Sequence, residues 1–243
     1  MPDRRFKPVP NRPVVLDRAS VQLYHDARVI PDLICWLDAS QLVGFNTSDP
    51  VNLWPDLSGN GYDGVSGAGP LYEPGAKNGL PACKFTGNTV TMTDLGANGF
   101  NGISQGTVFV VYNADNDPDG NYGVVTLESA GDGFWRWGGN GGGFMSLFRS
   151  ARLGVPADQP NDNTWHYHTI SSGPANGWRM WRDGSLDIDV AASWGVSTDG
   201  RLSAQNVHTL NPGWIAEVRI YTRELTSAEI TGTEAGLRSK WDL

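Results

Sequence analysis

Thirty-one glycines in 243 residues, grouped between short apolar runs, limit this chain more than any other feature. Each glycine inside a helix costs about 1 kcal/mol relative to Ala, so long helices are excluded over most of the sequence. Turns that require positive φ are, by contrast, well supplied. Between the glycines the apolar residues alternate with polar ones, the period of a strand with one face covered. Expected strands are Leu33–Asp38, Ala82–Thr86, Thr89–Met92, Thr107–Asn113, Tyr122–Leu127, Phe144–Arg149, Thr164–Ser171, Trp178–Arg182, Leu186–Val190 and Ile215–Tyr221. The clearest alternations place Leu186, Ile188 and Val190 inward against Asp187 and Asp189. Likewise Ala216, Val218 and Ile220 point inward against Glu217, Arg219 and Tyr221. Short strands with turn signals between them, and no strand–helix alternation, predict an all-β fold: an antiparallel two-sheet jelly-roll sandwich. Only the C-terminus reads as helix. There Thr226-Ser-Ala-Glu229 has capping-box spacing, and Ile230, Leu237 and Trp241 share a face.

The first 29 residues differ in kind. Pro2, Pro8, Pro10 and Pro13 impose extended backbone. Residues 1–20 carry five basic groups against two acidic, a net +3 in a chain of net −8, which leaves −11 on the remainder. The expected division is therefore a basic docking arm over 1–29, with Arg4, Arg5, Lys7 and Arg12 as its contact residues, and a sandwich domain over 30–243. An acidic body lacks the basic face of general nucleic-acid binders. No run reaches the ~20 apolar residues of a membrane-spanning helix, and the N-terminus has no signal-peptide apolar stretch. Cys35 and Cys83 are too few for a disulfide framework; two buried thiols or a single bridge both fit the spacing.

Three groups of segments carry a resemblance. The first is Trp54-Pro-Asp56-Leu-Ser58-Gly59-Asn60-Gly61 with Gly79-Leu-Pro81-Ala82-Cys-Lys-Phe85-Thr-Gly87. The second is Trp165-His166-Tyr167-His168 with Trp181-Arg182-Asp183-Gly184. The third is Gly213-Trp214-Ile215-Ala216-Glu217-Val218-Arg219-Ile220-Tyr221 with Leu225-Thr-Ser-Ala-Glu229-Ile230. In this order they resemble the laminin-G-like, concanavalin-A-like jelly rolls over residues 33–243. That resemblance implies a sandwich that binds carbohydrate or protein, often without enzymatic activity. A basic proline-rich arm ahead of such a domain resembles minor tail proteins of tailed bacteriophages, particularly those infecting actinobacteria. It implies a virion tail component made in the host cytoplasm, present in several copies. Its arm would dock on other tail proteins and its sandwich would meet a host-surface glycan or a neighbouring subunit.

Ten tryptophans supply candidate contact residues, because indoles stack on sugar rings and anchor interfaces. About half are expected in the core. Trp135 and Trp137 share a strand face ahead of Gly138–Gly143, and Trp194 lies in a loop; with Asp115 and Asn116 these form the expected ligand-binding set. Asp115, Asp117 and Asp119 alternate before Gly120 as oxygen ligands do in calcium loops. The bidentate Glu at the twelfth position is missing, so a polar hairpin turn is the competing reading. Asp56-Leu-Ser58-Gly-Asn60-Gly61 reads as a side-chain-stitched turn. His166 and His168 share a strand face without further ligands at zinc spacing, and read as surface or interface histidines. Asp187 and Asp189 are the nearest approach to a glycosidase carboxylate pair, but their surroundings do not favour an acid with a raised pKa. No nucleophile–His–Asp signature is present. The expected function is thus non-enzymatic, with a purely structural tail protein and a glycan hydrolase as rivals.

Overall fold

The computed structural model describes residues 26–85, 105–114, 125–128, 135–139, 145–149, 151–154, 163–174, 177–191, 201–202 and 213–243. The strands are β1 Leu33–Asp38, β2 Leu53–Trp54, β3 Gly64–Val65, β4 Leu71–Lys77, β5 Leu80–Phe85, β6 Gly106–Ala114, β7 Val125–Glu128 and β8 Trp135–Gly139. They continue with β9 Met145–Arg149, β10 Ala151–Gly154, β11 Trp165–Gly173, β12 Gly177–Arg182, β13 Ser185–Val190, β14 Arg201–Leu202 and β15 Gly213–Tyr221. Helix α1, Ser227–Trp241, closes the chain. The expected strand Thr89–Met92 lies outside the described residues.

Among the described residues, a large sheet runs β13-β12-β11-β6-β15-β5-β4, with β1 also paired to β15. A second sheet runs β10-β9-β8-β7-β14, and β2 and β3 form a small ribbon. Neighbouring strands pair antiparallel throughout, from β15 with β6 to β8 with β9. The fold is an all-β, antiparallel jelly-roll sandwich with one C-terminal helix.

The large sheet is covered on both faces, which explains why its central strands are buried at nearly every position. In β6, Val108, Val110 and Tyr112 enter one core with Leu37, Ile170, Trp178 and Met180. Phe109 and Val111 enter the other with Tyr167, Leu225, Leu237 and Trp241. Fully burying a side chain such as Leu237 is worth about 1.5–3 kcal/mol, so α1 is held mainly by its apolar stripe. Its start is the expected capping box: the Thr226 N–H donates to Glu229 Oε2 at 2.8 Å and the Glu229 N–H donates to Thr226 Oγ1 at 3.3 Å.

Two inward–outward assignments are corrected by bulges. In β15 the pairing with β6 shifts between Ile215 and Glu217, so Ala216 joins the helix-side core while Val218 and Ile220 face the other. Glu217, Arg219 and Tyr221 are not outward either; all three are at most 1% exposed. In β13 a shift opposite Met180/Trp181 separates Leu186 from Ile188. Leu186 is consequently 51% exposed, whereas Ile188 is buried. An extra residue in one strand reverses the faces beyond it, and period-two reading has no means of registering it. β4 is absent from the expected strands, and it contains Pro74 and Gly75. It survives at the end of the described sheet order with a register shift between Glu73 and Lys77, where a proline removes no needed ladder bond.

The expected arm lies outside the described residues up to residue 25. From Asp26 the chain is folded on the sandwich: Ala27 and Ile30 are buried, and Tyr221 donates its hydroxyl to the Ala27 carbonyl at 3.1 Å. Cys35 and Cys83 are buried free thiols, and burial pushes both well above the ordinary thiol range. Of the described tryptophans, Trp36, Trp54, Trp178 and Trp241 are buried, and Trp165, Trp181 and Trp214 half-buried.

Candidate functional site

Antiparallel register places opposed residues on one sheet face, and here it assembles a row that no sequence segment contains. Trp165 of β11 opposes Asn113 of β6. Asn113 also opposes Trp214 of β15, and Trp214 in turn opposes Lys84 of β5. With strands about 4.8 Å apart, the two tryptophans flank Asn113 at roughly 10 Å from each other. Glu73 of β4 and Asn163, just before β11, complete the lining of an open groove of about 330 Å³. That volume is at the lower end of ligand pockets, roughly 300–1,000 Å³. Beneath it Trp165 and Trp214 pack against the helix-side core.

The polar atoms of this groove are incompletely used. Asn113 is only 7% exposed. Its Nδ2 donates to the Asn163 carbonyl at 3.3 Å, but its Oδ1 is buried and accepts no hydrogen bond among the described residues. Trp214 Nε1 is a buried donor without an acceptor among the described residues. A buried polar group left unpaired costs about 1–3 kcal/mol, so the row holds one unmet acceptor beside one unmet donor. The Lys84 ammonium sits 5.0 Å from the centroid of the Trp214 ring, within cation–π range. Lys84 and Glu73 form no ion pair among the described residues. A ligand bearing hydroxyls can serve such a set, since each hydroxyl donates and accepts at once.

The residues singled out from sequence fall mostly elsewhere. Trp135 and Trp137 lie on β8, opposite Leu127 and Val125, in the second sheet and not in the row. Trp194, Asp115, Asn116, Asp117 and Asp119, like Arg4, Arg5, Lys7 and Arg12, lie outside the described residues. Asp115 follows directly on Ala114, which ends β6 and opposes Gly213. Among the described residues no three His, Cys, Asp or Glu side chains converge as a metal cluster. Trp165 and Trp214 stood in plain view inside the two strand motifs, but only strand register reveals that they share a groove.

Other candidates resolve into structural roles. Asp56 accepts four hydrogen bonds: from Trp36 N and Ser58 N at Oδ1, both at 2.9 Å, and from Ser58 Oγ at 2.7 Å and Tyr62 N at 3.0 Å at Oδ2. Asn60 Nδ2 adds donations to the Leu33 and Ile34 carbonyls. The loop thus covers the open edge of β1. The expectation of two surface histidines is corrected at His168, which is fully buried because β11 lies between β12 and β6. Burial pulls its imidazole well below the ordinary histidine range, so it is neutral. His166 Nδ1 lies 2.7 Å from Asp183 Oδ2. Asp187 pairs with Arg182 at 3.5 Å and Asp189 with Arg179 at 3.6 Å, and the β13 bulge parts the two carboxylates.

The architecture and groove together define a jelly-roll β-sandwich with an aromatic-lined cleft on its helix-side face. No protein-family model and no curated protein matches the chain. Among solved structures, it is similar to domain 4 of AbnA, an extracellular arabinanase from Geobacillus stearothermophilus solved with arabinotriose. The TM-score is 0.59 at 14% identity, over 84% of this chain and 98% of that one. It is similar to the binding domain of botulinum neurotoxin DC solved with SialylT, at TM-score 0.56 and 14% identity, over 85% of this chain and 51% of that one. Trypanosoma rangeli sialidase matches at TM-score 0.55 and 13% identity, over 85% of this chain. The chain spans about a third of the sialidase's length, 33%. At these identities the likeness is one of fold.

Proposed function

We propose that this chain is a non-enzymatic glycan-binding module, carried as a minor tail protein of a phage particle, with the groove of Trp165, Asn113 and Trp214 as its sugar site. The observation that carries the reading is the groove itself: two half-buried indoles flanking an amide whose buried carbonyl has no partner among the described residues. Aromatic walls with a few convergent polar atoms are the common form of a small-ligand site. Support also comes from the neighbours of the same fold solved with arabinotriose and SialylT. The non-enzymatic assignment rests on the carboxylates. Asp187 and Asp189 are each beside an arginine, and retaining hydrolysis would need two carboxyl groups about 5–5.5 Å apart across a sugar. The tail assignment rests on the basic, proline-rich residues 1–25, read as a docking arm for other tail proteins. A single shallow sugar site binds weakly, and several copies on one particle would supply avidity.

The test is a glycan array probed with the full chain, followed by a reducing-end assay on every glycan bound. Retention of at least one glycan without new reducing ends is expected. Turnover of a bound glycan would overturn the non-enzymatic assignment, and absence of all binding would overturn the module. For the tail assignment, mass spectrometry of purified particles should find the chain, and deleting residues 1–25 should remove it from them. Particles that incorporate the shortened chain normally would end the docking-arm reading.

A further inference from the structure

The polar set of the groove restricts what kind of sugar it takes. Resting on the glycan-binding reading above, we propose that the site selects neutral sugars presenting adjacent ring hydroxyls, and discriminates against acidic ones. Asn113 Oδ1 is a buried acceptor and Trp214 Nε1 a buried donor, and both are unused among the described residues. The two residues are opposed across β6 and β15, so a hydroxyl admitted by a small side-chain movement donates to the amide oxygen and accepts from the indole N–H. Lys84 and Glu73 repeat the arrangement at the β4–β5 side of the same groove: an ammonium that donates and a carboxylate that accepts. The neighbouring hydroxyl on the same ring meets this second donor–acceptor pair.

A sugar carboxylate or sulfate cannot use the site in this way, because it only accepts. It would satisfy Trp214 Nε1 and Lys84 but leave Asn113 Oδ1 facing a second acceptor, with the Glu73 carboxylate lining the β4 side of the same groove. The lysine does not rescue the anion. Glu73 lines the same groove with the opposite charge, and the ammonium is held over the Trp214 ring at 5.0 Å. The body of the protein adds repulsion, since the chain carries a net charge of −8. The sugar plane rests on the Trp165 side, because Lys84 occupies a face of Trp214.

The experiment uses the full chain on an array of neutral, uronic-acid and sialylated oligosaccharides at low and physiological salt. The strongest neutral ligand is then titrated calorimetrically. Expected are binding confined to neutral glycans, and at least tenfold weaker binding by Asn113→Ala and Trp165→Ala. Lys84→Gln, at a half-exposed position, should weaken binding severalfold while leaving the urea midpoint unchanged. That variant keeps the test valid if Asn113→Ala folds poorly. Preference for acidic glycans, or neutral binding that survives all three substitutions, overturns this inference while glycan binding stands. Binding to no glycan removes both.

Discussion

Glu217→Gln replaces one oxygen of one side chain by an amide nitrogen, and the structure makes it among the most damaging substitutions available. The carboxylate lies between β15 and α1 at 1% exposure. Oε1 accepts from Trp36 Nε1 at 2.9 Å and from Arg219 at 2.7 Å. Oε2 accepts from Lys240 Nζ and Trp241 Nε1, both at 2.8 Å. All of these partners are donors, so an amide in either orientation turns an N–H toward another N–H. Arg219, itself 1% exposed, would lose the carboxylate that its Nη2 meets at 2.7 Å. Removing one partner of a buried pair costs about 3–5 kcal/mol, a large share of the roughly 5–15 kcal/mol that stabilises a typical domain. An independent route gives a similar size. Arg219, then Lys240, hold the Glu217 carboxyl down at about 2 against burial, from an ordinary 4.5. At 1.36 kcal/mol per pH unit that difference corresponds to about 3 kcal/mol. Because the folded pKa is depressed, this stability is present above pH 4.5 and is lost as pH falls toward 2. Asp38, raised chiefly by burial and then by Glu217, acts with the opposite sign and offsets part of the acid loss. Urea unfolding of both proteins at neutral pH, and again across pH 4.5 to 2, measures the effect. A loss below about 1 kcal/mol at an unchanged m-value, or a stability difference that does not shrink on acidification, would show that the Glu217 network adds little to the stability of the fold.

Thr226→Ala removes the helix cap and should lower stability by about 1 kcal/mol in the same urea assay. An unchanged midpoint would mean that packing alone holds the first turn. Gly69→Ala should lower it by about 1–3 kcal/mol, since a Cβ there would stand 2.1 Å from the Val51 carbonyl oxygen, a backbone atom that cannot swing aside. For a chain of this size that is about 2–4 °C in Tm per kcal/mol. Cys35 and Cys83 should resist a thiol reagent in the native protein at pH 8 and release two equivalents in denaturant. Rapid native labelling would contradict their burial.

What the sequence displayed, and what it hid, follow from the range over which each feature is decided. Alternation and turn residues are local, so β1 was legible to the residue, β11 and β12 nearly so, and the Thr226–Glu229 cap in full. The faces of β13 and β15 were not legible, because a bulge is decided by the partner strand; Leu186 and Ala216 obey the alternation of their own strand yet sit on the faces their neighbours assign. The groove is the extreme case. Trp165, Asn113, Trp214 and Lys84 come from four strands spread across 131 residues of sequence, and each looks ordinary in its own segment. Trp135 and Trp137 attracted attention because they are close in sequence, which for a strand means neighbours on one face and nothing about a cleft. In a sandwich a binding row runs across strands, and register, carried by pairing and shifted by bulges, decides which tryptophans can hold a ligand together.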